Sequence, residues 1–160
     1  MHILLTGAAG RIGSYTMTYL LDRGHTVTSS DKGPLDTETV SKYPSAAKNH
    51  FEIDHSSISD IDRVFDTAGP FDGVIHIGAI PHPNELDWRV VHNNNVTSSY
   101  NVLYTAAKRG VKRISQASSV NATGMSFTRD WKQVLDELPL TEKETYRPVR
   151  SFESFCFPVS

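Results

Sequence analysis

The chain has a single cysteine, Cys156. It cannot close an internal disulfide and has no second thiolate with which to build a zinc cluster. Excess charge of one sign is missing too. A net charge of -2 gives no electrostatic reason to expect nucleic acid or an anionic membrane as a partner. No apolar run approaches the roughly 20 residues that a spanning helix needs. The chain enters at once on His2-Ile3-Leu4-Leu5, without the basic segment, long apolar stretch and small-residue cleavage site of a secretory signal. There is no internal repeat and no low-complexity tract. These absences read as a soluble protein of a reducing compartment, the cytoplasm.

What is present is the composition of one globular domain. At 160 residues the chain can bury roughly 68–70% of its unfolded surface. Short β-rich runs alternate with segments of helical period, the pattern of a parallel sheet covered by helices. Ile3 to Thr6 reads as a first strand. Ile12, Met17, Leu20 and Leu21 keep helical spacing, and Gly24 ends that helix at the C′ position. Thr26 to Ser30 is a second strand closing on Asp31, and the polar stretch Lys32 to Asn49 reads as a loop with at most a short helix. Phe51 and Ile53 mark a third strand, after which Ile58, Ile61, Val64, Phe65 and Ala68 fit one helix face before Pro70. Gly73 to Ile77 is a fourth strand. Val96, Tyr100, Leu103, Ala106 and Ala107 form a helix stripe capped by Gly110, and Val111 to Ala117 is a fifth strand. Beyond Gly124 periodicity is lost. The expectation is an α/β, doubly wound parallel sheet, incomplete at about five strands, over 1–124, followed by an irregular tail over 125–160.

The chemistry sits in the first turn, Thr6-Gly7-Ala8-Ala9-Gly10-Arg11-Ile12-Gly13. Strand, glycine-rich turn and helix form the context that a dinucleotide fingerprint requires, so the sheet is expected to be Rossmann-type, in the order 3-2-1-4-5, with 1–124 as an NAD-binding domain. Gly7 allows the tight turn, Gly10 admits a pyrophosphate without an intervening Cβ, and Gly13 permits close helix–sheet contact. The helix N-terminus offers free N–H groups and a partial positive charge. The spacing is G-x-x-G-x-x-G, so Gly7, Ala9, Gly10, Arg11, Ile12 and Gly13 are the candidate phosphate-binding residues. Asp31 follows the glycines by roughly 20 residues, where a carboxylate accepts the ribose hydroxyls of the adenosine half. It also repels a 2′-phosphate, so NAD is expected over NADP, although the adjacent Lys32 softens that argument. Asp54, after the third strand, is placed to reach the adenine or to serve as an ordinary turn aspartate. His76, His82 and His92 have no close ligand pair, and no metal is expected.

Four segments in order resemble the extended branch of the short-chain dehydrogenase/reductase family, which includes NAD-dependent sugar epimerases, dehydratases and uronate dehydrogenases. Thr6 to Gly13 is similar to its TGxxGxxG loop. His76-Ile77-Gly78-Ala79 resembles its HxAA motif, with Gly78 in place of an alanine. Asn95 to Leu103 resembles its NVxGTxNVL helix, with Ser98 where glycine is usual. Ser118 to Gly124 is similar to the SSxxxxG segment that holds a catalytic serine. The resemblance covers about residues 1–148. It implies that Ala79 lines the nicotinamide side, that Asn95 braces the active site, and that Ser119 polarises the substrate. Taken on the residues alone, Ala79 is a strand-to-loop residue, Asn95 a helix N-cap, and Ser119 a polar residue past a strand end.

The resemblance breaks at the proton-transfer pair. The family uses Tyr-x-x-x-Lys after an Arg-Pro segment like Arg147-Pro148, the lysine lowering the tyrosine pKa. Here the tyrosine position falls at Phe152 and the lysine position at Cys156. Neither can do that work. The sequence therefore points to an NAD-binding chain of this family, inactive in this form. Full-length members transfer hydride on sugar-like or other carbinol substrates. The other reading is a non-catalytic NAD-binding or sensing module. The fifth strand is expected as an unpaired edge, inviting aggregation or a homo-oligomer.

Overall fold

A computed structural model describes residues 1–81 and 86–119 of the chain. Among the described residues, five strands and five helices follow in the order β1 (His2–Thr6), α1 (Arg11–Asp22), β2 (Thr26–Asp31), α2 (Thr37–Lys42), α3 (Pro44–Lys48), β3 (His50–Glu52), α4 (Ile58–Ala68), β4 (Gly73–His76), α5 (Trp88–Lys108) and β5 (Arg113–Gln116). All strands pair in parallel, in the order β3-β2-β1-β4-β5. That is the expected order. Successive strands are added to one side of β1 and then to the other, so the gap between β1 and β4 is the switch point where such sheets bind ligands.

Alternation along β1 feeds both faces of the sheet. Leu4 joins Val74, Ile61, Val64, Phe65, Val102 and Ala106 in a cluster under α4 and α5. Ile3 and Leu5 join Met17, Leu20, Val27, Leu35 and Ala46 under α1, α2 and α3. Side chains such as Leu4 and Leu5, almost wholly buried, each contribute about 1.5–3 kcal/mol. Gly24 at φ +74° and Gly110 at φ +81° end α1 and α5 in the left-handed conformation that the C′ position favours.

Several expectations are corrected. The stretch Lys32 to Asn49 holds two short helices rather than a loop. Asp36 caps α2 by accepting from the Thr39 N–H, and Pro44 occupies the first turn of α3, where its missing N–H costs nothing. The stripe assigned to the last helix is rotated. Tyr100 and Ala107 are exposed, and the buried face carries Val91, Asn95, Ser98, Ser99, Val102, Thr105 and Ala106. That face is largely polar, so hydropathy does not mark it. It also begins earlier, at Trp88 behind an Asp87 cap, which places Asn95 mid-helix and removes its reading as an N-cap. Ile12 and Ile58, read as apolar positions, are both 65% exposed. Strand β5 is shorter than expected, exposed at all four residues, and paired only with β4 among the described residues.

Candidate functional site

The phosphate-type loop is built by contacts that its sequence permits. Gly7 lies at φ +75°, a conformation that L side chains rarely adopt. A Cβ on it would also stand 2.5 Å from the Gly78 backbone nitrogen. The Gly7 and Ala8 N–H groups donate to the Ser30 carbonyl at 2.8 and 3.2 Å, tying the loop to the end of β2. Gly13 sits directly under the turn, where a Cβ would lie 1.9 Å from the Gly7 carbonyl oxygen. Gly10 differs. It is exposed and extended at φ −73°, ψ 162°, and a Cβ there would meet nothing closer than the Gly7 oxygen at 3.4 Å. Nothing else lies within 4 Å of that position.

No side chain caps α1, and no acidic residue stands in its first turn. The first bond near its start runs from the Ser14 N–H to the Gly10 carbonyl at 2.9 Å. The N–H groups of Arg11, Ile12 and Gly13 precede it and have no carbonyl behind them in the helix. They present the donors and positive dipole end that an anion needs.

Asp31 closes β2 beside this loop. Its Oδ2 accepts the Ala9 N–H at 2.9 Å, and its Oδ1 accepts the Lys32 N–H at 2.7 Å. The carboxylate thus braces the loop, a role the sequence did not suggest. Asp54 lies two residues past β3. Its Oδ1 accepts from the Ser56 N–H at 2.8 Å and the Ser56 hydroxyl at 2.7 Å, and its Oδ2 pairs with the Lys32 ammonium at 3.2 Å. Burial opposes its ionisation, yet the Ser56 bonds and the Lys32 charge hold the carboxyl below its usual range.

On the far side of β1, Asn95 reaches the loop after β4. Its side chain accepts the Ile80 N–H at 2.8 Å and donates to the Ile80 carbonyl at 3.0 Å. That two-point clamp fixes the backbone next to Ala79, which is exposed. Ser119 is half-buried at the end of the described segment after β5. Phe152 and Cys156 lie outside the described residues. So does His82. Among the described residues no group of three or more His, Cys, Asp or Glu is gathered for a metal, and no helix is long and apolar enough to cross a membrane.

Below the loop runs a buried polar layer that pattern reading missed. His76 Nδ1 and Thr6 Oγ1 are 2.6 Å apart, and His76 Nε2 lies 3.1 Å from Ser99 Oγ. His55 Nε2 lies 2.9 Å from Ser30 Oγ, and the Asn101 amide donates to the carbonyls of His55 and Ser56. Burial pushes His76 down to about 4, with His55 adding a little, and burial likewise lowers His55. The layer also packs against the loop after β4: a Cβ at Gly78 would stand 3.1 Å from His55 Nδ1, so an alanine there requires the imidazole to give by a few tenths of an ångström.

A family model described as "NAD dependent epimerase/dehydratase family" matches residues 3–152. UDP-glucose 4-epimerase of Caenorhabditis elegans is 29% identical over 157 residues, covering 89% of this chain and 42% of the relative. Cinnamoyl-CoA reductase 2 of Arabidopsis thaliana is 29% identical over 136 residues, covering 84% and 40%. The crystal structure of UDP-glucose 4-epimerase from Bifidobacterium longum in complex with NAD+ and UDP superposes with a TM-score of 0.73. It is 25% identical and covers 92% of this chain and 43% of that one. The chain spans less than half the length of each. Matched over nearly its whole length, it belongs to the NAD-dependent epimerase/dehydratase family.

Proposed function

We propose that this chain carries the NAD-binding portion of an epimerase/dehydratase-type oxidoreductase, with the pyrophosphate against Gly10 and the open start of α1. The observation that carries this reading is the cradle itself. The N–H groups at the start of α1 are uncapped, and Gly10 alone among the loop glycines has no close neighbour to require its missing side chain. Asp31, Asp54 and Ala79 line the path of the adenosine and nicotinamide ends. Asn95 holds the Ile80 backbone, and Ser119 orients a substrate oxygen. When bound, the nicotinamide supplies hydride exchange with a carbinol carbon. The epimerase relatives favour a sugar-like substrate for the full-length form.

Gly10→Val separates fold from ligand. Its backbone is in a region that valine adopts readily, so the expected folding loss is only about 1 kcal/mol, from a poorer N-cap. NAD binding, read by calorimetric titration, is expected to disappear. Unchanged affinity removes the cofactor site.

A second reading, a non-catalytic NAD-binding module, is favoured by Phe152 and Cys156 at the positions of the proton-transfer pair. Loss of such a pair costs about 10²–10⁴-fold in rate. The purified chain is therefore expected to show no turnover of sugar nucleotides or uronic acids by nicotinamide absorbance or product chromatography. Turnover of any of them shows that another group moves the proton.

A further inference from the structure

Lys32 directly follows Asp31, the residue that faces the adenosine ribose in the proposed NAD site. A free ammonium there would attract a 2′-phosphate and work against the selectivity that Asp31 imposes. The ammonium is not free. It pairs with Asp54 Oδ2 at 3.2 Å and donates to Asn94 Oδ1 at 3.0 Å. The Lys32 main-chain N–H is held separately by Asp31 Oδ1 at 2.7 Å. Backbone and side chain of one residue are thus anchored to different partners, which draws the cation toward the end of β3 and the first half of α5. Asp54 is itself positioned by Ser56, through both the N–H and the hydroxyl, and its own main-chain N–H donates to Asp60 Oδ2 at 3.1 Å. The acceptor is therefore ordered before the lysine arrives, which lowers the entropy cost of the pair.

We propose that Asp54 and Asn94 are cofactor-selectivity residues, acting by holding the Lys32 ammonium away from the 2′ position of a bound dinucleotide. This rests on the NAD-site reading above and extends it to residues that need not touch the ribose. The pair is about half exposed, at 53% for the Lys32 side chain and 45% for Asp54, so its effect is modest and screened by salt.

The test is a double-variant cycle on the full chain, with NADH and NADPH affinities read by nucleotide fluorescence at low and high salt. Asp54→Asn, which keeps an acceptor for Ser56, is expected to shift the affinity ratio about fivefold toward NADPH at low salt, and less at high salt. The shift is expected to vanish when Lys32→Ala is added, and Lys32→Ala alone is expected to leave the ratio as it was. Asn94→Ala, which removes the other acceptor without changing charge, is expected to move the ratio the same way by a smaller factor. An unchanged ratio in both Asp54→Asn and Asn94→Ala overturns the proposal. So does a shift that persists without Lys32, because the charge of Asp54 would then act directly on the phosphate. A chain that binds neither nucleotide overturns the site reading and this inference with it. One that binds NADH but ignores both substitutions overturns the inference alone.

Discussion

Gly13→Ala is expected to abolish dinucleotide binding and to lower the unfolding midpoint by about 6 °C, although alanine is the better helix former. Two effects compete. In the first turn of α1 the substitution gains about 1 kcal/mol of helix propensity. Against it, the new methyl stands 1.9 Å from the Gly7 carbonyl oxygen and 2.7 Å from the Ala8 Cα. Both obstacles are backbone, and Gly7 and Ala8 are tied to the Ser30 carbonyl, so neither can swing aside as a side-chain end would. Overpacking against such a wall costs about 3 kcal/mol. The net loss of about 2 kcal/mol corresponds to the stated shift for a domain of this size. The loop must move by more than an ångström to relieve the contact, which misaligns the N–H groups of the cradle. Circular dichroism melting and titration with NAD check both parts. A Gly13→Ala chain with native midpoint and native affinity would show that the turn does not need the close approach.

Acid is expected to destabilise the fold well before the carboxylates titrate. His76 is 2% exposed and its imidazole is lowered from 6.5 to about 4. The unfolded chain therefore takes up the proton first. Stability is full above pH 6.5, falls as pH drops from 6.5 toward 4, and loses nothing further from this group below that. At pH 5 the loss from His76 alone is about 2 kcal/mol, and about 3 kcal/mol at pH 4. His55 shifts in the same direction, because its burial outweighs the attraction of Asp31, Asp54 and Asp60. The lowered carboxyls of Asp22, Asp36, Asp54 and Asp87 contribute in a separate window, below their ordinary value of 3.8. Urea unfolding at pH 7.5 and pH 5 isolates the histidines. His76→Gln keeps polar contacts available for Thr6 and Ser99 without a titrating ring, and is expected to flatten the pH dependence. A midpoint independent of pH between 7.5 and 5 would mean that the buried imidazoles accept protons without cost.

The two helices between β2 and β3 had local signals that a count of polar residues hides. Asp36 stands three residues before Thr39, whose N–H it accepts, and Pro44 opens the next turn. Both are helix-start signals of the ordinary kind. The buried face of α5 is a different matter. Asn95, Ser98, Ser99, Asn101 and Thr105 are buried, and no apolar period announces them, because burial there is compensated by partners distant in sequence. Asn95 bonds Ile80, fifteen residues earlier, and Asn101 bonds His55 and Ser56, more than forty earlier.

The sequence by itself determined the alternation of strands with helices, the loop between β1 and α1, and the glycines that end α1 and α5. Each depends on short-range rules: alternation along a strand, the conformational freedom of glycine, and the requirement that a parallel strand return through a helix. Only the tertiary structure decided which oxygen of Asp31 braces Ala9, what a methyl at Gly78 would meet, and where the Lys32 ammonium goes. Those depend on the carboxyl ends of β2, β3 and β4 meeting α5 at one end of the sheet. Hydrogen bonds and close contacts there join residues tens of positions apart, and no local pattern encodes their distances.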